Sequence, residues 1–379
     1  MKSSTTQLNI APGRGHCELW RTIQPGVRKS PASAGRHENP SVTQRGRIYC
    51  HPDGDILPVW CQRFNDVTNR GYTYTNRIDA DSDGETLLHF YVSRYTHSTE
   101  QEWRDRIDRG EVQLNDHRAQ SETRLVKGDT LTYRREPWSE PDAPLSFDTL
   151  YEDPHLLAVD KPGGLPVLPG GHHLAHTLLA LVRQRYPGDV EPSPLHRLGR
   201  GTSGIVLFAR SPDALRVMTE TFVERRIVKI YRALVIGTDL PDTFVIDHPI
   251  GPVPYAPLGT LHAATSDGKA SHSEGRRLYE DRSRNTTLVE ISITTGRPHQ
   301  IRIHAAAFGH PLVGDPLYTV GGVPRSVDKN TRASLPGDVG YHLHAYRVAF
   351  PHPVDSTPVQ IVSPPPSDLR TPEEKKNGE

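Results

Sequence analysis

The sequence predicts an α+β fold: a mixed, largely antiparallel sheet flanked by helices, preceded by a small α/β module. Three observations lead to this fold class. Apolar residues alternate from Val289 to Ile293, as in a half-buried strand. Leu215, Met218 and Phe222 have the spacing of one helix face. Strand-like and helix-like segments follow one another irregularly, an order typical of a sheet with helices packed against it.

Composition sets the limits for this fold. The chain has 379 residues, enough for two or three domains and a sizeable core. Its 34 prolines and 31 glycines, with only 35% apolar residues, indicate many loops and unstructured ends. The 45 basic side chains balance 45 acidic ones. Any affinity for nucleic acid must therefore come from local basic patches.

Shifts in composition divide the chain into five parts. We expect residues 1–70 to be mostly disordered because they are polar and rich in Pro, Gly, Arg and Ser. Residues 71–136 form the small module, and 137–144 form an extended linker rich in proline and acid. The main domain spans 145–363. The charged, proline-rich tail 364–379 is expected to be disordered.

Cysteine usage and hydropathy indicate the compartment. Cys17, Cys50 and Cys61 form no Cys-x-x-Cys pair, so ordinary thiols in a reducing compartment are expected. No apolar run is long enough to cross a membrane, and the first residues lack the apolar stretch of a secretory signal. We expect a cytoplasmic location. An organelle is the alternative if residues 1–48, basic and poor in acids, act as a transit peptide.

The small module has a recognisable order of elements. One helix is predicted to begin near Leu87, and a second to cover 102–109 and end at Gly110. Strands are predicted at 112–114 and 130–134, each next to a turn. This order resembles an S4-type RNA-binding module. The resemblance makes Arg104 and Arg109 candidate RNA contacts, with a solvated helix carrying ordinary ion pairs as the alternative.

The central motif of the main domain is His196-Arg197-Leu198-Gly199-Arg200-Gly201-Thr202-Ser203-Gly204. It closely resembles the sequence His-Arg-Leu-Asp-x-x-Thr-Ser-Gly of the RluA family of RNA pseudouridine synthases. Four further segments resemble the same family in the same order. They are Leu150–Val167, Phe222–Val235, Leu288–His304 and the stretch from Gly309 to Pro353.

The resemblance implies an isomerase that converts uridine to pseudouridine in structured RNA, rRNA or tRNA, with no metal or organic cofactor. It also implies the site residues. Tyr231 is the aromatic that stacks on the flipped base, and its hydroxyl takes part in proton transfer. Arg302 corresponds to the arginine that pairs with the catalytic aspartate. That aspartate is replaced by Gly199, and a second family acid is replaced by Gly201.

Basic residues around these motifs are candidate RNA contacts. Besides His196 and Arg197 of the central motif, the densest basic cluster contains Arg225, Arg226 and Lys229, followed by Arg232. A solvated charged face is the alternative for this cluster. His342 and His344 have the spacing of metal ligands, but no third ligand lies nearby, so a structural role is expected and no metal.

Three functions follow from the missing aspartate. The chain is an active synthase that draws an acid from elsewhere, an inactive relative that binds RNA as an assembly factor, or a fold adapted to another substrate. Asp160 is the first candidate for the replacement acid and Asp315 the second, although both residue contexts also fit a structural role in a turn. RNA is the expected partner, with no membrane and a monomeric chain.

Overall fold

The computed structural model describes residues 68–95, 98–326 and 332–377. These divide into two compact units, one ending at Ser139 and the other beginning at Glu140. The N-terminal extension predicted for 1–70 lies almost entirely outside the described residues, as do the three cysteines. Within the described part of the chain, no helix is long and apolar enough to cross a membrane.

The first unit combines two helices with a four-stranded antiparallel sheet in the order β1-β4-β2-β3. Its elements are β1 (Tyr72–Arg77), α1 (Leu87–Arg94), α2 (Glu100–Asp108), β2 (Val112–Leu114), β3 (His117–Arg118) and β4 (Thr130–Arg135). A capping box starts α2, since the Thr99 hydroxyl accepts the Glu102 N–H and the Glu102 carboxylate accepts the Thr99 N–H. Gly110, with φ of +79°, follows the helix end as the sequence predicted.

The core of this unit is aromatic. Trp103 of α2 stacks on Tyr91 of α1 with ring centroids 4.5 Å apart, and both side chains are fully buried. Leu87 and Leu131 complete the contact between the helices and the sheet. The helix–helix–strand order predicted for residues 86–136 is therefore the observed one.

The second unit contains fourteen strands, four α-helices and one 3-10 helix among the described residues. In chain order they are β5 (Asp148–Glu152), β6 (Leu156–Lys161), α3 (Leu178–Arg185), β7 (Ser193–Pro194), β8 (Ser203–Ala209), α4 (Pro212–Val223), β9 (Val228–Ile236), β10 (Thr243–Ile246), β11 (Ile250–Tyr255), β12 (Gly259–Ala264), β13 (Ser273–Asp281), β14 (Thr286–Ile293), α5 (Gln300–Ala307), β15 (Tyr318–Thr319), β16 (Val323–Pro324), β17 (Leu343–Pro351), β18 (Pro358–Val362), a 3-10 helix (Ser367–Leu369) and α6 (Pro372–Lys376).

Ten of these strands form one sheet, with the order β10-β13-β14-β9-β17-β8-β6-β5. β18 pairs with β17 and β7 pairs with β8 at the margins of this path. Every pairing is antiparallel except that of β17 with β8, where His344 and Ala345 lie beside Ser203 and Gly204. This confirms the mixed, largely antiparallel sheet predicted from the sequence.

Helices cover both faces of the sheet. Along β6, Leu157 and Val159 belong to the larger core cluster, together with residues of α3 and α5. Leu156 and Ala158 point to the opposite face and pack with α4. The central strands are therefore buried on both sides.

Helix α5 starts two residues after a proline that favours a first helical turn. It starts at Gln300 because His299 adopts the left-handed conformation, with φ of +57°. The helix is buried on two sides. Ile301 faces the larger cluster, whereas Ile303 faces a separate cluster that contains Tyr318.

The tail and the linker also differ from expectation. Residues 364–379 were predicted to be disordered, yet they carry the 3-10 helix and α6. Arg232 holds this segment, because its guanidinium binds the Glu374 carboxylate at 2.5 and 2.8 Å and the Leu369 carbonyl at 3.2 Å. Within the predicted linker 137–144, Glu140 is buried and accepts backbone N–H groups of residues 174–176.

Candidate active site

The central motif, His196–Gly204, forms an irregular loop after β7 and ends in the first two residues of β8. Inside it, the Thr202 N–H donates to the Gly199 carbonyl over 3.1 Å. The turn after β6 holds the loop from outside. The Gly164 N–H donates to the Arg200 carbonyl at 2.8 Å, and the Arg200 Nε donates to the Gly164 carbonyl at 2.9 Å. The first two family-like segments are therefore one structural unit.

Lys161 is the residue that ties these two segments together. Its ammonium is fully buried and donates to the carbonyls of Pro162 and Leu165 at 2.8 Å and of Arg200 at 3.2 Å. Burial lowers the pKa of Lys161 to about 7. Lys161 was not among the candidate site residues predicted from the sequence, although it belongs to the predicted Lys-Pro-Gly-Gly turn.

Tyr341 covers Gly199 and Gly201 of the central motif. A Cβ atom on Gly199 would lie 2.8 Å from the Tyr341 hydroxyl oxygen, and one on Gly201 would lie 2.9 Å from ring carbons Cε1 and Cζ. The hydroxyl also shares a 3.3 Å hydrogen bond with the Thr202 hydroxyl. Tyr341 is only 5% exposed. Its side chain thus fills the space in which the absent side chains would begin.

Arg302 lies on the other side of the same tyrosine. Its guanidinium carbon is 4.2 Å from the centre of the Tyr341 ring, a cation–π contact. The side chain is 2% exposed and forms a two-point ion pair with Asp315, at 2.7 Å from Nε and 2.8 Å from Nη2. The resemblance implied an aspartate partner from the central motif; in this chain the partner is Asp315.

Asp315 is fully occupied by structural contacts. Besides Arg302, its Oδ1 accepts the N–H groups of Leu317 and Tyr318 at 2.8 and 3.1 Å. Burial opposes ionisation of Asp315, but the guanidinium and the two N–H donors hold its pKa below the usual range. Asp315 therefore stabilises the turn before β15, which is the structural role that its sequence context also fits.

Asp160, the first candidate for the replacement acid, lies on the wrong face of the sheet. Side chains alternate along β6, and Lys161 points toward the central motif. Asp160 therefore points to the opposite face, with Leu156 and Ala158. Burial raises its pKa. Asp160 is not placed to act at Gly199.

Tyr231 lies in the centre of the sheet, on β9. Its neighbours across the sheet are Ile291 on β14 and Ala345 on β17. It belongs to the same core cluster as Leu198 and Tyr341. Burial raises the pKa of Tyr231 to about 12, so the phenol is protonated at neutral pH. The structure thus brings Tyr231, the central motif and Arg302 to one side of the domain, as predicted.

His196 and Lys229 line a small pocket together with Tyr231. The His196 Nε2 accepts the Leu207 N–H at 3.1 Å, and burial lowers the pKa of this imidazole to about 3. His196 therefore supports the loop as a neutral side chain rather than offering a positive charge to RNA. Burial also lowers the pKa of Lys229.

The remaining basic candidates fall into two groups. Arg197 and Arg225 are exposed and form no ion pair with the described residues. The others have acidic partners: Arg226 pairs with Glu224, Arg104 with Glu100 and Glu122, Arg109 with Glu111, and the buried Arg232 with Glu374. Arg104 and Arg109 belong to the first unit. Arg232 is unavailable to RNA because the C-terminal segment covers it.

His299 is a second residue that the sequence analysis did not single out. It holds a left-handed backbone at the start of α5. The Tyr318 hydroxyl donates to the His262 carbonyl at 2.7 Å, so it accepts the Nδ1–H of His299 at 2.8 Å. Burial lowers the pKa of His299 to about 3. A strained, neutral histidine beside Arg302 and Asp315 is typical of a functional site.

No group of three His, Cys, Asp or Glu side chains that could hold a metal occurs in the parts of the chain that the structure describes. His344 instead accepts the Ser203 hydroxyl at Nδ1, at 2.9 Å, and donates from Nε2 to the Ser363 carbonyl at 3.2 Å. These bonds give it the structural role expected from the sequence.

Comparison with known proteins gives consistent matches. The family described as RNA pseudouridylate synthase matches residues 155–307. An RNA pseudouridine synthase of Synechocystis, itself termed uncharacterized, is 45% identical over 289 residues, which are 76% of this chain and 97% of the relative. RNA pseudouridine synthase 5 of Arabidopsis thaliana is 38% identical over 350 residues, 80% of this chain and 95% of the relative. Ribosomal large subunit pseudouridine synthase D of Xanthomonas campestris is 33% identical over 297 residues, 76% of this chain and 86% of the relative.

Proposed function

This chain belongs to the RluA family of RNA pseudouridine synthases, and we propose that it is an active synthase although no carboxylate stands at position 199. The observation that carries the proposal is a chain of contacts across the site. Thr202 of the central motif bonds to Tyr341, and Tyr341 stacks on Arg302. Tyr231 belongs to the same core cluster. These contacts support a site kept around Gly199.

The substrate class that we propose is ribosomal RNA, with tRNA as the alternative. The name of the Xanthomonas relative refers to the large ribosomal subunit. A uridine inside a folded RNA must leave its stack before C1′ and C5 can be joined, and an aromatic side chain such as Tyr231 supports the flipped base. Arg197 and Arg225, exposed and without an acidic partner among the described residues, supply positive charge for phosphates.

A second candidate function is RNA binding without catalysis. It is favoured by the positions of the two acids, because Asp315 is saturated by Arg302 and backbone donors and Asp160 points to the other face. Such a protein would act as an assembly factor and would need only the basic residues. Both candidates predict RNA binding, so only product formation separates them.

Pseudouridine mapping in cells tests the proposal. RNA would be compared from cells that contain the gene, lack it, or lack it and express either the unaltered protein or Tyr231→Leu, which removes the aromatic ring. We expect specific sites to disappear on deletion and to return with the unaltered protein but not with Tyr231→Leu. If no site disappears while the protein still crosslinks to RNA, the binding function replaces the proposed one.

A further inference from the structure

We propose that the Tyr341 hydroxyl is the acid–base group of this site, acting from the place of the family's catalytic aspartate. The inference rests on the proposed function, since it concerns the same reaction. The family resemblance assigns no role to Tyr341. Its role is argued from position, from the contact with Arg302 and from the proton balance of the reaction.

Position is the first argument. Apart from Gly199 itself and its two chain neighbours, only two atoms of the described residues lie within 4 Å of a Cβ built on Gly199: the Tyr341 Oη at 2.8 Å and the Thr202 Oγ1 at 3.4 Å. The backbone at Gly199 does not have a positive φ, so any L-residue could adopt it. The glycine is therefore needed to make room for one hydroxyl group. Gly199 itself is exposed, so the buried hydroxyl lies directly beneath a surface position that a substrate can reach.

The second argument is the charge beside the ring. Arg302 stacks on the face of Tyr341 at 4.2 Å, and its guanidinium is fixed there by Asp315. A cation over an aromatic face is attracted by the π electrons. The attraction increases when the ring oxygen becomes negative, because a phenolate delocalises its charge into the ring. Arg302 is thus placed to stabilise Tyr341 after it has given up its proton.

The reaction needs one group that donates a proton and then accepts one. Uridine and pseudouridine are isomers: the C1′–N1 bond breaks, a C1′–C5 bond forms, and a proton moves from C5 to N1. The Tyr341 hydroxyl donates its proton to N1 while the electron pair of the C1′–N1 bond moves to N1. After the base has rotated, the C5=C6 electron pair forms the bond to C1′. The Tyr341 phenolate then takes the C5 proton and is restored.

This scheme also accounts for what the site lacks. The negative charge that the family places at 199 appears here only transiently, on the phenolate, where it faces the electron-poor C1′ of the sugar. The ring oxygen of the ribose supplies the electron pair that stabilises C1′ in between. No carboxylate is required, and both Asp160 and Asp315 keep their structural roles.

The test uses the full-length chain and bulk rRNA and tRNA isolated from gene-deleted cells grown on 5-tritiated uracil. Removal of the C5 proton releases tritium, so initial rates give kcat and KM. Four variants are compared with the unaltered protein: Tyr341→Phe, Tyr279→Phe, Gly199→Asp and the double variant Gly199→Asp/Tyr341→Phe. Tyr279→Phe is the matched control, because it removes the hydroxyl of an exposed tyrosine on β13, outside the site.

We expect Tyr341→Phe to lower kcat by about 10² to 10⁴, the range of general acid–base catalysis, with KM and RNA affinity within about twofold. Tyr279→Phe should leave kcat and KM unchanged, because it is a surface substitution away from the site. Gly199→Asp alone should be nearly inactive, since its Cβ meets the hydroxyl at 2.8 Å. The double variant removes that oxygen and leaves room for the carboxylate. Its kcat should be at least about tenfold higher than that of Tyr341→Phe, which corresponds to a barrier lower by about 1.4 kcal/mol.

Three results would overturn the inference. If Tyr341→Phe turns over like the unaltered protein, the hydroxyl only fills space, and the proposed function stands. The decrease in kcat of Tyr341→Phe could instead come with weaker RNA binding and lower thermal stability, and without recovery in the double variant. That result would show that Tyr341 has a structural role only. If the unaltered protein releases no tritium while binding the RNA, the inference and the proposed function fall together.

Discussion

The hydroxyl oxygen of Tyr341 lies 2.8 Å from the point where Gly199 would carry its Cβ. The space beside this glycine is therefore filled by a residue from a distant part of the sequence. Gly199 and Tyr341 have to be considered together. A side chain introduced at position 199 while Tyr341 is present would place two groups in the same space.

Tyr341 also fills the space beside Gly201, and this contact gives a stability prediction. A Cβ there would lie 2.9 Å from two carbons of the Tyr341 ring, which cannot move away because Arg302 packs on its face. Gly201→Ala should therefore destabilise the protein by about 1–3 kcal/mol, measured by chemical denaturation. Gly337→Ala is the control, since a Cβ at Gly337 meets nothing within 4 Å among the described residues. Equal stability of the two variants would show that the ring is free to shift.

The buried ion pair of Arg302 and Asp315 gives a second stability prediction. Asp315→Asn keeps the shape of the side chain but leaves a buried guanidinium without its counter-charge, which costs about 3–5 kcal/mol. Glu220→Gln is the control. It breaks the exposed pair with Arg216 on α4 and should cost no more than about 0.5 kcal/mol. Similar denaturation midpoints for the two variants would contradict a structural role for Asp315.

The lowered pKa of Lys161 makes the free energy of unfolding depend on pH. Its pKa is about 7 in the folded chain and near 10.5 when unfolded, so between these values the unfolded chain binds more protons. Stability due to this group therefore rises with pH through that window and falls as pH decreases toward 7. The difference in unfolding free energy between the unaltered protein and Lys161→Met should widen from about pH 7 to about pH 9 in favour of the unaltered protein. A constant difference would mean that Lys161 does not titrate in this window.

RNA binding should depend on the basic residues that have no acidic partner among the described residues. Arg197→Gln/Arg225→Gln should weaken binding and reduce the slope of log affinity against log salt by about 0.7–0.9 for each phosphate that is no longer neutralised. Arg216→Gln, which removes a positive charge already paired with Glu220, should leave the slope nearly unchanged. Filter binding at several salt concentrations measures both. An unchanged slope in the double variant would exclude these two side chains as phosphate ligands.

The sequence was informative wherever the signal was local. The strand ending at Ile293, the helix containing Met218 and the turn at Gly110 follow from periodicity and glycine positions. The tail was misjudged because α6 is held by one long-range ion pair, between Arg232 and Glu374, which composition does not reveal. Tyr341 was missed for the same reason, since two glycines show that space is available but not which distant residue fills it.

The left-handed backbone of His299 is another long-range effect. Pro298 favours a helix start, and the local sequence gave no reason to place the start two residues later. The hydrogen bond between His299 and the Tyr318 hydroxyl holds the unusual conformation. A short segment of sequence cannot show a conformation that depends on a contact with a distant residue.

The central claim is that pseudouridine forms at this site without a carboxylate at position 199. Its most direct test is a single-turnover reaction of the purified, unaltered protein, in excess over an RNA fragment that carries one mapped uridine, with the product measured by mass spectrometry of the nucleosides. We expect the unaltered protein to convert nearly all the bound uridine to pseudouridine. Fully bound RNA from which only uridine is recovered would contradict it.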